Sequence, residues 1–225
     1  MTETVKDFEV KIDQKEILRL LGHTSPKWIH SKRAKNMKDT SKKLIKEMIE
    51  LSFELIKSKG IYTIKGSKEL KGKCFFNSAE KVTFCICTIG EDLEKKVVKL
   101  SYKGELTRAV ILDAIGSVAA ESTAEYLNQV ISAEVKRKSL YFSTRFSPGY
   151  GGWKLEGQKL IFNLLPAGKI GVFLNESYMM IPRKSVSFAI NLSRNPFKGQ
   201  SLTPCKICGL KECRFKKVNK VVPPL

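Results

Sequence analysis

The feature that most constrains the fold is a helical pattern over residues 105–138, which predicts one long helix with at most one break. A second, amphipathic helix is predicted over residues 40–59, and a short helix over residues 14–22 is closed by Gly22. The remaining pattern predicts helices at 90–104 and 155–165, and strands at 61–66, 73–77, 81–90, 139–146, 170–175 and 184–192. This order, without an internal repeat, predicts a single α+β domain with long helices and a mostly antiparallel sheet.

The long helix carries a polar stripe in an otherwise apolar pattern. Asp113, Ser117, Glu121 and Glu125 follow one another at four-residue steps, and residues four apart lie on one face of a helix. Such a stripe either faces solvent, as in most amphipathic helices, or presents a carboxylate to a cationic group of a ligand. Both interpretations remain open from the residues alone.

Two further segments interrupt the pattern of helices and strands. RFSPGYGGW (145–153) is rich in glycine and holds one proline, so it is either a plain turn or a rigid loop that lets a ligand approach the main chain. Glu176 and Ser177 interrupt an apolar run in 169–193. A carboxylate in such a run is paired, belongs to a site or marks a turn, because burying it alone would be costly.

Three segments in this order resemble the activation (reactivation) domain of cobalamin-dependent methionine synthase: AESTAEYL (120–127), RFSPGY (145–150) and LNESYMMIPRKSVS (174–187). The family's loop of arginine, two other residues, proline, glycine and tyrosine is matched by Arg145, Pro148, Gly149 and Tyr150. Its glutamate, one turn before an alanine-glutamate-tyrosine-leucine run, is matched by Glu121.

The third segment matches the family's run of threonine-glutamate-serine, proline and serine-valine-serine. Glu176, Ser177 and Pro182 match it, as do residues 185–187, while Asn175 stands in place of the threonine. The resemblance extends over residues 105–193. The family's additional ligand aspartate has no aligned position here, and residues 151–153 replace a more proline-rich continuation. Trp153 is either a platform for the ligand's adenine or a core residue.

The resemblance implies a domain over residues 1–193 that binds S-adenosylmethionine, followed by a basic tail over 194–225. The ligand residues it implies are Glu121, Arg145, Ser147, Pro148, Gly149, Tyr150, Glu176 and Ser177. The residue types suit the ligand, because a guanidinium can grip its carboxylate and a glutamate can balance its ammonium. Glu121 alone matches the family's ligand glutamate, so Glu125 is expected to be a surface residue.

The function implied by the resemblance is reductive reactivation of cobalamin, with S-adenosylmethionine as the methyl donor. Asp-x-His-x-x-Gly, the signature of a cobalamin-binding segment, does not occur. We therefore expect the chain to act on a separate cobalamin-binding methionine synthase or corrinoid protein, with an acidic electron donor such as flavodoxin or ferredoxin.

Six cysteines include Cys205, Cys208 and Cys213 in a C-x2-C-x4-C array. Three thiolates at this spacing suit zinc or an iron–sulfur cluster, with a fourth ligand from Cys74, Cys85 or Cys87, or from a partner. The alternative is three reduced thiols in the tail.

The net charge of +19 is concentrated in residues 32–46 and 194–225. Clustered positive charge attracts acidic proteins and nucleic acids. A basic nucleic-acid-binding module with a zinc or iron–sulfur tail is therefore the alternative function, and an iron–sulfur electron carrier is a third. The most apolar run, 109–120, is too short to span a bilayer. We expect a cytoplasmic protein.

Overall fold

The structure, a computed structural model, describes residues 2–6, 8–22, 39–70, 76, 79–150 and 152–197. Its strands are Thr2–Lys6 (β1), Lys59–Gly66 (β2), Lys81–Thr88 (β3), Tyr141–Phe142 (β4), Phe173–Leu174 (β5), Met180–Ile181 (β6) and Ser185–Ser193 (β7). Five of them form one sheet in the order β1-β2-β3-β7-β4, and every neighbouring pair is antiparallel. The strands β5 and β6 form a separate hairpin.

The helices of the described residues are Gln14–Leu20 (α1), Asp39–Leu55 (α2), Asp92–Tyr102 (α3), Leu106–Arg137 (α4) and Gln158–Leu164 (α5). Helix α4 runs without a break for 32 residues, or about 48 Å at 1.5 Å per residue. Because alanine and leucine favour the helix and α4 contains no proline, nothing in its sequence forces a kink. The predicted α+β fold with long helices and an antiparallel sheet is confirmed.

Helix α4 packs on two groups of residues at once. Its N-terminal half packs with α1, α2 and α3 around Leu93, Leu112 and Ile115, which are fully buried. Its C-terminal half covers one face of the sheet, where Leu127 and Ile131 meet side chains of β3 and β7. One helix therefore fixes the helical layer relative to the sheet.

The opposite face of the sheet is covered by the chain after β4. Alternation along β3 sends Cys85 and Cys87 towards α4 and sends Phe84 and Ile86 to the other face. There Phe84 packs with Trp153 and with residues of α5 such as Ile161. Trp153 is 7% exposed and lies against Phe76 and Phe146, with ring centroids at 5.8 and 5.5 Å. Of its two possible roles, the structure supports that of a core residue.

Several predicted elements are shorter in the structure, including the strand predicted over 170–175, of which only Phe173–Leu174 is a strand. The helix predicted over 40–59 ends at Leu55, because Lys57 N bonds to Ile89 O and Lys59 already pairs with Thr88 in the sheet. The strand predicted over 139–146 is reduced to β4 and a single bridge between Phe146 and Ala189. Most of the strand predicted over 73–77 lies outside the described residues.

Strand β1 was not predicted. Its sequence, TETVK, has no apolar alternation, and Thr2, Glu3 and Thr4 are exposed. Strand β1 is held at the sheet edge by main-chain pairing with β2. A hydrophobic pattern in the sequence therefore does not indicate this strand.

Gly157 is expected to be essential for the packing of Trp153. A Cβ atom at this position would lie 2.1 Å from Nε1 of the buried Trp153 ring, so Gly157→Ala must displace the ring and should lower the free energy of unfolding by about 1–3 kcal/mol. Gly168→Ala is the matched control, because its Cβ would meet only Phe173 Cε1, at 3.8 Å. Urea unfolding measures both, and equal stabilities for the two variants would contradict the packing described here.

Candidate ligand-binding site

The polar stripe of α4 faces cations supplied by other segments of the chain. Asp113 Oδ1 lies 2.8 Å from Lys184 Nζ, which also donates to Ser117 Oγ at 2.9 Å. Lys184 is only 12% exposed, and Gly116 leaves room for its stem, since a Cβ there would lie 3.2 Å from Lys184 Cε. The first half of the stripe is thus neutralised by a lysine just before β7.

The second half of the stripe faces Arg145. Its Nη2 donates to Glu121 Oε2 at 3.4 Å and lies 3.6 Å from Glu125 Oε2. Both distances exceed the 2.7–2.9 Å typical of strong charge-assisted hydrogen bonds. Glu121 and Glu125 are 52% and 51% exposed, whereas Arg145 is 17% exposed. The guanidinium is therefore largely buried, but its hydrogen bonds to the two glutamates are long. Such a group can exchange these contacts for an anionic ligand.

Contacts with strand β7 of the sheet fix the position of Arg145. The next residue, Phe146, exchanges two main-chain hydrogen bonds with Ala189 of β7, at 3.1 and 2.8 Å. Arg145 Cζ lies 5.3 Å from the ring centroid of Phe188, within the range of a cation–π interaction. Burial beside an aromatic face limits the freedom of the side chain, so less entropy is lost when a ligand binds.

Cys85 and Cys87 lie beneath this cluster, on the face of the sheet that α4 covers. Burial raises the pKa of Cys87 to about 12, although Arg145 lowers it by a smaller amount. Burial raises the pKa of Cys85 well above its ordinary value. At neutral pH both thiols are uncharged and leave the charge balance of the cluster unchanged.

The loop after Arg145 is held by its own main chain. Gly149 N donates to Trp153 O at 2.6 Å, and Trp153 N donates to Tyr150 O at 3.0 Å. Gly149 and Gly152 have φ angles of +88° and +82°, which favour glycine. Pro148 is buried, Ser147 is half-buried, and Gly149 and Tyr150 are exposed. The loop is thus closed on the core side and open on the other.

Glu176 and Ser177 lie at the tip of the β5–β6 hairpin, and both are exposed. Asn175 holds this tip, because its side-chain Oδ1 accepts from Met179 N at 2.8 Å. In the described part of the chain, no hydrogen bond or ion pair joins Glu176 or Ser177 to Arg145 or Glu121.

The structure thus brings together Glu121, Arg145 and the loop 147–150, and it adds two residues that were not predicted at the site. Glu125 was expected at the surface; it is half-exposed, but it also contacts Arg145. Lys184 was not predicted at the site, although Pro182, two residues earlier, was part of the family resemblance. The position of Lys184 beside Asp113 depends on how β7 meets α4, which no local sequence pattern indicates.

A cavity of about 250 Å³ lies elsewhere, at the C-terminal end of α4, among Tyr62, Glu134, Lys138 and Leu192. None of the predicted ligand residues lines it. The candidate site is therefore placed at Arg145 and Glu121, where two opposite charges lie beside the loop 147–150.

The predicted metal ligands Cys205, Cys208 and Cys213 lie outside the described residues, as does Cys74. Among the residues that are described, Cys85 and Cys87 are buried free thiols, and no group of three or more potential metal ligands is present. No helix in the same residues has the length and apolar character needed to cross a membrane.

Cys85 and Cys87 should resist alkylation in the folded protein, because the thiolate is the reactive form and their raised pKa values suppress it. After treatment with iodoacetamide at pH 8, peptide mass spectrometry should find both unmodified, and both modified when urea is added. Labelling of either thiol in the native protein at the rate seen in urea would show that the packing of α4 on β3 is wrong.

Comparison with known proteins identifies the fold and the family of this chain. The family model described as the activation domain of vitamin B12-dependent methionine synthase matches residues 75–195. A crystal structure of the MetH reactivation domain bound to AdoHcy matches with a TM-score of 0.64 and 15% sequence identity, over 85% of this chain and 78% of that one. At this identity the structural match shows a shared fold. Because the family model covers more than half of the sequence, the chain belongs to the family of vitamin B12-dependent methionine synthase activation domains.

Proposed function

We propose that this protein binds S-adenosylmethionine and supports reductive methylation of the cobalamin of a separate methionine synthase or related corrinoid methyltransferase. The observation that carries the proposal is the convergence of Arg145 and Glu121, 3.4 Å apart, in a chain of the activation domain family. Both are among the ligand residues that the family resemblance implies, and their charges suit the two charged groups of the ligand's amino acid.

The chemistry of the pair suits this ligand. Arg145 can exchange its loose contacts for two charge-assisted hydrogen bonds to the ligand carboxylate. Glu121, released from Arg145, can balance the ammonium on the same carbon atom. The open side of the loop 147–150 offers main-chain groups to the rest of the ligand, because Gly149 has no side chain to block its approach. The role of Glu176 and Ser177 as ligand residues stays a prediction.

This chain contributes positioning and electrostatics to the proposed reaction, as is usual when a cofactor carries the chemistry. When bound, the partner's cobalamin would supply the nucleophile in its reduced cobalt. The methyl group would pass from the ligand's sulfur to that cobalt, and the ligand would leave as a neutral thioether. Orienting the sulfonium methyl towards the partner is the task that falls to Arg145, Glu121 and the loop.

We include an acidic electron donor such as flavodoxin or ferredoxin in the proposal, since a net charge of +19 favours association with acidic proteins. The nucleic-acid-binding alternative rests on the same charge and on cysteines outside the described residues. It gives no role to the pairing of Arg145 with the stripe of α4, so we do not adopt it.

Replacing Arg145 should weaken binding of S-adenosylmethionine. Arg145→Ala removes hydrogen bonds to a charged group from a largely buried side chain, so the binding free energy should fall by roughly 1.5–3 kcal/mol in a calorimetric titration. Arg194→Ala is the matched control, because Arg194 is 82% exposed and pairs with Glu80. An affinity unchanged by Arg145→Ala, in a variant with normal thermal unfolding, would contradict the assignment.

Replacing Glu121 should weaken binding more than replacing Glu125. The two side chains are equally exposed, so a difference between Glu121→Gln and Glu125→Gln cannot come from burial. We expect a loss of about 1–1.5 kcal/mol for Glu121→Gln, at the low end for a charged hydrogen bond because the side chain is half-exposed. A smaller loss is expected for Glu125→Gln. Equal, negligible losses would make the stripe a structural feature only.

A further inference from the structure

Among the residues that the structure describes, the stripe of α4 carries one negative charge more than its cationic partners neutralise. Asp113 has its own cation, Lys184, at 2.8 Å. Glu121 and Glu125 instead share a single nitrogen, Arg145 Nη2, while the thiols of Cys85 and Cys87 below them are neutral because burial raises their pKa values. In a chain with a net charge of +19, this local excess of negative charge stands out against its surroundings.

The charge of the proposed ligand complements this excess. S-adenosylmethionine carries a carboxylate, an ammonium and a sulfonium, so its net charge is +1. With Arg145 on the carboxylate and Glu121 on the ammonium, the sulfonium remains for the second glutamate. Once the methyl group has left, the product is a thioether with no net charge, and this part of the attraction disappears.

The spacing of the two glutamates also fits. Residues four apart on a helix have Cβ atoms about 5–6 Å apart. Four single bonds separate the ammonium nitrogen from the sulfur, so these two atoms lie about 5 Å apart when the ligand's chain is extended. The Cβ atoms of Glu121 and Glu125 are therefore about as far apart as the ligand's two cations, so one turn of α4 can face both.

We infer that Glu125 is a specificity-determining residue that selects the sulfonium form of the ligand over the thioether. The inference rests on the proposed function, because it requires the ligand to lie beside Arg145. In this role the half-exposed Glu125 does more than pair with Arg145. It strengthens the binding of the charged methyl donor and does not strengthen the binding of the uncharged product.

The test compares two ligands that differ by one methyl group and its charge. The ratio of Kd for S-adenosylhomocysteine to Kd for S-adenosylmethionine is measured by calorimetry for the native protein and for Glu125→Gln. The ratio should fall about two- to five-fold in the variant, the size expected for an interaction of a half-exposed charge. A purely structural role of Glu125 would change both affinities together and leave the ratio unchanged.

Two control variants make the result specific. Glu54→Gln, at an exposed position of α2, changes the net charge equally and should leave the ratio unaltered. Glu121→Gln should weaken both ligands by similar factors, because both carry the ammonium.

Three outcomes are distinguishable. A fall confined to Glu125→Gln supports the inference. Binding of both ligands with a ratio that is unchanged in Glu125→Gln, or that falls more in Glu121→Gln, overturns the inference and leaves the proposed function standing. A native protein that binds neither ligand overturns the proposed function, and the inference with it.

Discussion

The packing of one unbroken helix against two layers determines the rest of this structure. Helix α4 buries its N-terminal half among α1, α2 and α3 and its C-terminal half on the sheet. Because both halves belong to one continuous helix, the side chains at 113, 117, 121 and 125 stay aligned on one face. A break near Gly116 would turn Asp113 away from the rest of the stripe, and Lys184 could then no longer contact both Asp113 and Ser117.

The sheet brings those cations to the stripe from two points of the chain. Lys184 stands just before β7, and Arg145 stands just before the bridge that ties Phe146 to Ala189 in β7. The strand is thus the common support for both contacts with α4. The two cations differ in the distances to their polar partners. Lys184 has partners at 2.8 and 2.9 Å, whereas the contacts of Arg145 are longer. A tightly bonded cation stabilises the fold, and a loosely bonded one remains available to a ligand.

Much of this could be predicted from the sequence, and what could not has a physical reason. The hydrophobic periodicity of α4 and the β-branched run of β3 predict their own secondary structure, because each buries a continuous apolar face. Arg145 and Glu121 were identified as members of one site by family resemblance, 24 residues apart in sequence. Neither the polar edge strand β1 nor the position of Lys184 could be predicted, since pairing partners across the fold determine both. The sequence left two roles open for Trp153, an adenine platform or a core residue, because its contacts with Phe76 and Phe146 depend on the fold.

In the proposed function, this chain presents the methyl group of S-adenosylmethionine to cobalamin carried by another protein. The most direct measurement is a single-turnover assay with S-adenosylmethionine labelled in its methyl group, a chemical reductant and a cobalamin-loaded methionine synthase fragment without its own activation domain. We expect labelled methylcobalamin to form when the native chain is added, and to form at a much lower rate with Arg145→Ala. If methylcobalamin formed at the same rate with the native chain, with Arg145→Ala and without either protein, the proposed function would be contradicted.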